Sequence, residues 1–245
     1  MRRRLGRYDA GGTPADASGL DERGIGLSRF AVPTDEGPAG AELDLPPGDA
    51  RALVVLGHGA GGGIAAPDLA ALATALPLTG FALARVEQPY RVAGRPAPPP
   101  ASRLDAAWRA VLAQLVTRPE LAGLPLVVGG RSSGARVACR TAVDTGASGV
   151  VALAFPLRPP GRAVSRQDEL LGVTVASLVV QGSRDAFGSP PLPAGMELFE
   201  VVAADHSFRA RRADGRSTAE CLADVAGAVT DWLGQAFGAS RPRKR

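Results

Sequence analysis

Residues 126–136, LVVGGRSSGAR, carry the pattern from which the fold of this chain can be inferred. A short apolar run is followed by Gly130-x-Ser132-x-Gly134 and then by a helix-like segment. In a strand–turn–helix context, a serine with small neighbours sits on a tight turn with its hydroxyl exposed. We therefore predict that Ser132 is a nucleophile. The N–H group of Ser133, at the start of the helix, is predicted to stabilise an oxyanion.

A glycine-rich segment, Gly57-His58-Gly59-Ala60-Gly61-Gly62-Gly63, follows an earlier apolar run. Because glycine lets a backbone approach a substrate closely, we expect the N–H group of Ala60 or Gly61 to be the second oxyanion donor. We interpret His58 as a residue that orients this loop by hydrogen bonding. The candidate residues of the pocket rim are His58, Tyr90 and Arg158.

Two further strand-like runs lead into polar residues. The run LVVQGSR precedes Asp185, and the run EVVAAD precedes His206. The chain order Ser132, Asp185, His206 is one of the known orders of a Ser-Asp-His triad. All three residues follow predicted strand ends, at the edge where an open α/β sheet binds its ligands, so we predict catalytic roles for them. Asp205 is the alternative acid, but it adjoins His206 and is a poor partner for the same ring.

Apolar runs without polar alternation recur along the chain, as expected for strands of a parallel sheet covered on both faces. They are residues 52–56, 81–86, 126–128, 150–155, 177–180 and 198–202. Helix-like segments lie between most of these runs, which predicts an α/β protein with a doubly wound, mostly parallel sheet. Residues 28–32 and 41–45, separated by a turn, predict an N-terminal antiparallel hairpin.

The spacing of the runs leaves no room for a large cap domain, because only residues 156–176 separate the fourth run from the fifth. We expect the pocket to be covered by residues 156–173 and by the proline-rich loop 91–101. The predicted organisation is a flexible N-terminal extension (1–27), an α/β domain (28–238) and a basic C-terminal tail (239–245).

Capping patterns predict two helix starts. Ser102 and Asp105 resemble a capping box in which the shorter Asp replaces the usual Glu. Ser217 and Glu220 form a complete capping box, and Gly238 is placed to end that last helix.

Composition argues against several classes of protein. The 245 residues are 45% hydrophobic and 21% charged, as in ordinary soluble domains, and no apolar run reaches the roughly 18 residues of a membrane span. The net charge is +4, but eight positive charges lie in residues 1–7 and 241–245, so we expect no stable nucleic-acid binding. The two cysteines and two histidines lie in distant segments, which argues against a metal centre. Because the N-terminal segment lacks the apolar region of a signal peptide, we expect a cytoplasmic protein.

The glycine-rich segment also supports a second interpretation. Gly57-x-Gly59-x-x-Gly62 after a strand matches the dinucleotide-binding fingerprint, and Glu87 lies 25 residues beyond Gly62. This segment alone does not exclude an NAD(P)-binding oxidoreductase. It leaves the motifs around Ser132, Asp185 and His206 unexplained.

At these motifs the chain resembles the dienelactone-hydrolase-like branch of the α/β-hydrolase superfamily. The resemblance is greatest to small proteins related to a testis-expressed hydrolase-like protein and a chromatin-complex subunit. It spans roughly residues 28–238, and the matching segments are 57–62, 129–136, 155–161, 181–188 and 204–208. It implies an α/β-hydrolase fold with Ser132 as nucleophile, Asp185 as acid and His206 as base. The chain departs from the group at Arg158, where a histidine is common, and at Ser133, where a methionine is common.

The motifs and the resemblance together predict a serine hydrolase without a cofactor. Its partner would be a small acyl substrate: a carboxylic ester, a thioester or a lactone. A catalytically silent interaction protein on the same fold is the alternative, because the resembling group includes a chromatin-complex member. The presence of Ser132, Asp185 and His206 together favours catalysis.

Overall fold

A nine-stranded sheet with helices on both faces forms the part of the chain that the computed structural model describes, residues 19–238. The strands are β1 (Gly19–Leu20), β2 (Gly26–Val32), β3 (Ala39–Leu45), β4 (Leu53–Gly57), β5 (Ala82–Glu87), β6 (Leu126–Arg131), β7 (Gly149–Leu153), β8 (Ala176–Gly182) and β9 (Met196–Val201). The α-helices are α1 (Pro67–Ala75), α2 (Pro89–Val92), α3 (Ala101–Leu115), α4 (Ser133–Thr141), α5 (Gln167–Leu171) and α6 (Thr218–Phe237). Turns of 3₁₀ helix lie at Pro77–Thr79 and Arg212–Asp214.

The strands follow one another across the sheet in the order β1-β2-β3-β5-β4-β6-β7-β8-β9. From β5 to β9 in that order, neighbours are parallel. The strands β1, β2 and β3 pair antiparallel, and β3 joins β5 antiparallel. The predicted α/β fold with an N-terminal hairpin is confirmed. Because β4, β6 and β8 run in one direction, the loops that follow them emerge at the same edge of the sheet.

Apolar side chains of the central strands alternate between two packed layers. Val54 and Leu56 pack in the layer that contains α1 and α6, whereas Val55 packs in the layer that contains α3 and α4. Every residue of β4 is buried. Burial on both faces explains why the central runs show no polar alternation in the sequence. The expectation of two covered faces is wrong for residues 198–202, because β9 lies at the edge of the sheet and most of its residues are exposed.

The N-terminal boundary of the domain lies earlier than predicted. The sequence prediction places residues 1–27 in a flexible extension, but β1 pairs with β2 and Ile25 is fully buried. The Asp21 carboxylate accepts hydrogen bonds from the backbone N–H groups of Arg23 and Ile25, which closes the turn between these strands. The prediction is wrong for residues 19–27 because a strand of two residues is too short to show periodicity.

The predicted start of the last helix, α6, is confirmed. Ser217 Oγ accepts a hydrogen bond from the Glu220 N–H group, and the Glu220 carboxylate accepts one from the Ser217 N–H group. Gly238 follows as the C-terminal cap residue. Together these contacts satisfy backbone groups that a helix end leaves without partners.

The predicted capping box of α3 is wrong. The helix begins at Ala101, with Pro100 as its N-terminal cap residue and no side-chain cap. Asp105 instead forms a bidentate ion pair with Arg140 of α4, with N–O distances of 2.6 and 2.9 Å. The pair with arginine gives the carboxylate two charge-assisted hydrogen bonds in a fixed geometry, whereas a capping box would give it one, and Asp105 lies on the face that packs against α4.

The connection between β7 and β8 is short. Within residues 154–175, all of them described, α5 is the only helix, so a large cap domain is absent here, as predicted. No helix in the described range combines the length and apolar character that crossing a bilayer requires. The remaining predicted extension, residues 1–18, and the predicted basic tail, residues 239–245, lie outside the described residues.

Candidate active site

Ser132 lies on a strained turn between β6 and α4. Its φ and ψ angles are 53° and −107°, and its N–H group donates to the carbonyl oxygen of Leu153 at 2.9 Å. A non-glycine residue in such a conformation costs about 1–3 kcal/mol and is often found at functional sites. The turn presents a partly exposed Ser132 at the edge of the sheet where the strands end.

Gly130 and Gly134 allow this turn because neither position has space for a side chain. A Cβ atom at either residue would overlap the carbonyl oxygen of Gly57 in β4. Gly130 also has a φ angle of 152°, which side-chain-bearing residues rarely adopt. The prediction that small residues let β6 and α4 pack closely is confirmed.

The structure brings together the side chains of Ser132, His206 and Asp185. Ser132 Oγ lies 3.0 Å from His206 Nε2, and His206 Nδ1 lies 2.7 Å from Asp185 Oδ2. Both distances are those of hydrogen bonds. The His206 side chain is 21% exposed and that of Asp185 is 0% exposed. Because the carboxylate can only accept, Nδ1 carries the proton and Nε2 is free to accept the proton of the Ser132 hydroxyl.

Neighbouring donors fix the Asp185 carboxylate. Gln181 Nε2 donates to Oδ2 at 2.8 Å, and the Phe187 N–H group donates to Oδ1 at 2.8 Å. The Phe187 ring packs on the His206 ring, with centroids 4.3 Å apart. The sequence analysis assigns no role to Gln181 or Phe187. The one feature that could have suggested a role is that both lie within four residues of Asp185 in the chain.

Asp205, the alternative acid, has a different role. Its Oδ1 atom accepts hydrogen bonds from the N–H groups of Ser207 at 2.8 Å and Arg209 at 3.0 Å. These bonds shape the loop that carries His206. The carboxylate that faces the His206 ring is that of Asp185.

The glycine-rich loop lies beside Ser132. A Cβ atom at Gly59 would be 3.7 Å from Ser132 Cβ. His58 Nδ1 donates to the carbonyl oxygen of Gly59 at 2.8 Å, and the Tyr90 hydroxyl donates to the carbonyl oxygen of Ala60 at 2.7 Å. Two buried side chains therefore hold two successive carbonyl groups of this loop.

These contacts orient the predicted oxyanion donors. Each carbonyl group shares a planar, trans peptide unit with the N–H group of the next residue. Fixing the carbonyl groups of Gly59 and Ala60 therefore fixes the N–H groups of Ala60 and Gly61. Ser133 is the first residue of α4, so its N–H group has no acceptor within the helix.

Two of the three predicted rim residues lie in the interior. His58 is 3% exposed and Tyr90 is 6% exposed, so their assignment to the rim is wrong. The physical reason is that their polar atoms have partners inside the protein: His58 Nε2, for example, accepts from the Gln88 N–H group at 3.1 Å. Arg158 is exposed. The backbone N–H group of Arg158 donates to the carbonyl oxygen of Phe187 at 3.0 Å. Arg158 therefore lies next to Phe187, whose ring packs on His206.

Comparison with protein-family models identifies the family of this chain. The family model of the alpha/beta hydrolase domain matches residues 50–234, a range that contains Ser132, Asp185 and His206. The chain belongs to the α/β-hydrolase family. No curated protein matches this α/β-hydrolase.

Solved structures with a similar fold cover most of this α/β-hydrolase. An α/β serine hydrolase without a lid from Xanthomonas campestris is 20% identical, with a TM-score of 0.65, and the match covers 91% of this chain and 100% of that one. Dienelactone hydrolase from Anabaena variabilis is 19% identical, with a TM-score of 0.68 and coverage of 86% and 98%. Est1E from Butyrivibrio proteoclasticus is 14% identical, with a TM-score of 0.66 and coverage of 86% and 99%. At these identities the similarity establishes the fold.

The dinucleotide-binding interpretation of the glycine-rich loop is not supported in this α/β-hydrolase. The fingerprint opens a helix directly, whereas α1 begins at Pro67, five residues after Gly62. The loop instead lies against Ser132.

Among residues 19–238, no three His, Cys, Asp or Glu side chains cluster as a metal site requires.

Arg131, which sequence reasoning did not single out, ties the loop of His206 to the turn of Ser132. Its Nη2 atom donates to the carbonyl oxygen of His206 at 2.9 Å and to Ser207 Oγ at 3.0 Å. Its Nε atom lies 3.0 Å from Asp68 Oδ2 in α1, which is the distance of an ion pair. The two groups are not aligned for a hydrogen bond. Arg131 occupies a variable position of the G-x-S-x-G pattern, which therefore gives no signal for this role.

Replacement of Arg131 by methionine is expected to lower the free energy of unfolding by about 3–5 kcal/mol, because it leaves a buried charge unpaired. Asp68 is 1% exposed; burial raises the pKa of its carboxyl, and the charge of Arg131 opposes that rise. Urea denaturation at neutral pH measures the loss. Adding Asp68→Leu should restore most of it, and a loss below about 1 kcal/mol for Arg131→Met would contradict a stabilising pair.

His58 predicts a pH dependence of stability. Burial lowers the pKa of His58 below its ordinary value of 6.5, so below about pH 6.5 the unfolded chain binds a proton that the folded protein excludes. The free energy of unfolding should therefore fall with decreasing pH, by at most about 1.4 kcal/mol per pH unit from this group. His58→Asn keeps a donor for the Gly59 carbonyl group but cannot titrate. Denaturation between pH 8 and 5 should show a smaller loss for His58→Asn than for the native protein; parallel curves would contradict the prediction.

Proposed function

We propose that this α/β-hydrolase is a serine hydrolase that cleaves small acyl substrates: carboxylic esters, thioesters or lactones. The main support is the chain of hydrogen bonds from Ser132 Oγ to His206 Nε2 at 3.0 Å and from His206 Nδ1 to Asp185 Oδ2 at 2.7 Å. A serine hydroxyl is a weak nucleophile unless an adjacent base removes its proton. The strained backbone of Ser132 adds to this support because such strain is often kept at functional sites.

In the proposed reaction, His206 takes the proton of Ser132 while the hydroxyl oxygen attacks the acyl carbonyl carbon. His206 then protonates the leaving group as its bond to the acyl carbon breaks, which leaves an acyl-enzyme on Ser132. A water molecule gives a proton to His206 and attacks the acyl-enzyme. The acid is released, and the proton returns to Ser132.

The proposed oxyanion site consists of backbone N–H groups. The N–H group of Ser133 and that of Ala60 or Gly61 would face the oxygen that becomes negative in the tetrahedral intermediate. Each such donor contributes about 3–4 kcal/mol to transition-state stabilisation. The contacts of His58 and Tyr90 with the loop carbonyl groups support this assignment, since they orient the donors before substrate binds.

Covalent labelling tests the proposed nucleophile. We expect a fluorophosphonate probe to label the native protein at Ser132, identified by mass spectrometry of the labelled peptide. Ser132→Ala should show no labelling. Ser148→Ala, which changes an exposed serine before β7, should be labelled at the native rate and controls for non-specific reaction.

Two results would decide against the proposal or refine it. A folded native protein that is not labelled would favour the catalytically silent interaction protein. If labelling occurs, a screen of short-chain p-nitrophenyl esters beside acyl-CoA thioesters identifies the preferred acyl class.

A further inference from the structure

A second cavity lies outside the cluster of Ser132, His206 and Asp185. It has a volume of about 340 Å³ and lies between the β2–β3 turn, α2 and α3. This volume falls in the range of small-molecule sites, roughly 300–1,000 Å³. No role in the proposed reaction is assigned to this cavity.

One wall of the cavity is formed by residues that support the glycine-rich loop. Gln88 and Tyr90 line the cavity and also line a narrow crevice that reaches Ser133. The Tyr90 hydroxyl holds the carbonyl group of Ala60, and the Gln88 N–H group holds His58. A molecule in the cavity would therefore contact two residues that position the loop beside Ser132.

The lining of the cavity is mainly apolar. The apolar lining residues include Ala31, Pro38, Pro89, Val92, Pro99 and Ala107. Such a surface favours a ligand with a hydrocarbon body, because binding removes apolar surface of both partners from water.

The charges on the lining are unbalanced. Glu36, Arg95 and Arg103 line the cavity. Arg103 forms an ion pair with Glu36, so these two charges compensate each other. Arg95 is exposed, and within residues 19–238 its guanidinium forms no ion pair. The lining thus presents one uncompensated positive charge, which favours an anionic group on the ligand.

We propose that this cavity binds a small carboxylic acid with an apolar body, whose carboxylate pairs with Arg95. The hydrocarbon part lies against the proline and alanine side chains, and the occupant contacts Tyr90 and Gln88. Binding at this site requires no bond cleavage. It is therefore independent of the proposed hydrolase function, and each proposal can fail without the other.

Isothermal titration calorimetry of the full chain with sodium octanoate and with 1-octanol tests this site. We expect octanoate to bind at one site per chain, with a dissociation constant at least tenfold lower than that of octanol. Arg95→Gln should weaken octanoate binding at least tenfold and leave octanol binding unchanged. Ala107→Met, which fills the cavity from α3, should weaken both ligands at least tenfold.

Arg158→Gln is the matched control, because it removes an exposed arginine beside Phe187 and His206. Octanoate affinity should not change in this variant. Equal affinities of the native protein for octanoate and octanol would overturn the proposal. A loss of octanoate affinity in Arg158→Gln but not in Arg95→Gln would also overturn it, since the acid would then bind near Ser132.

A second cavity-filling variant covers the case in which Ala107→Met does not fold, since Ala107 is buried in α3. Ala31→Phe adds a ring from β2, on another wall. Thermal unfolding midpoints establish that each variant is folded. Unchanged octanoate affinity in a folded Ala31→Phe or Ala107→Met variant would contradict the site.

Discussion

Ser132→Ala is expected to lower kcat on an activated ester by up to about a million-fold, because members of a Ser-His-Asp unit act together. The variant removes the hydroxyl group that lies 3.0 Å from His206 Nε2 and that would form the acyl-enzyme. The methyl group of alanine keeps the turn occupied, so folding should be preserved. Residual turnover should come from binding and from the backbone N–H donors alone.

The measurement is the steady-state hydrolysis of a p-nitrophenyl ester by both proteins at neutral pH. Ser148→Ala, far from the site, should keep the native kcat. A fall of less than about a hundredfold in folded Ser132→Ala would show that this hydroxyl is not the nucleophile, since loss of a general-base contribution alone is worth about 10²–10⁴.

Asp185→Asn is expected to lower kcat by about ten-thousandfold while the fold is kept. All three partners of the native carboxylate are donors: Gln181 Nε2, the Phe187 N–H group and His206 Nδ1. An asparagine amide has one oxygen and one NH₂ group, so in either orientation the NH₂ group must face at least one of these donors. If the NH₂ group faces His206, Nδ1 becomes an acceptor. Nε2 then carries the proton and can no longer accept one from Ser132.

The pH–rate profile separates this effect from general damage. In Asp185→Asn, activity should recover at high pH, where hydroxide can replace the lost base, whereas KM should change little because the Asp185 side chain is fully buried. Asp205→Asn, which alters the neighbouring loop acid, should cost far less. A larger loss in Asp205→Asn than in Asp185→Asn would reverse the assignment of the acid.

Apart from β1, the strands and the candidate nucleophile could be predicted from the sequence because the patterns that mark them are local. The glycines around Ser132 are required by the close approach of β6, α4 and Gly57, and this requirement appears as a fixed spacing in the chain. The capping box at Ser217 and Glu220 is equally local. The predicted capping box of α3 was wrong because such local patterns do not show distant partners. The partner of Asp105 is Arg140, which lies 35 residues away in the chain.

The contacts around the loop of residues 57–63 could not be predicted, because they depend on the order of strands in the sheet. The neighbours β5, β4 and β6 bring Tyr90, His58 and Arg131 to the same edge. A histidine beside glycines reads equally well as a rim residue or as a buried support. Only the partners of both ring nitrogens distinguish the two interpretations.

By itself, the sequence determined the alternation of strands and helices, the tight turn at Ser132 and the chain order of the three polar residues. Each depends on residue types at short, regular spacing, so the information is present in one segment at a time. The tertiary structure alone decided that Asp185 faces the His206 ring, that Arg131 joins two loops and that a cavity lies beside Tyr90. These features arise where segments distant in the chain pack together, and their energies depend on distances that no single segment contains.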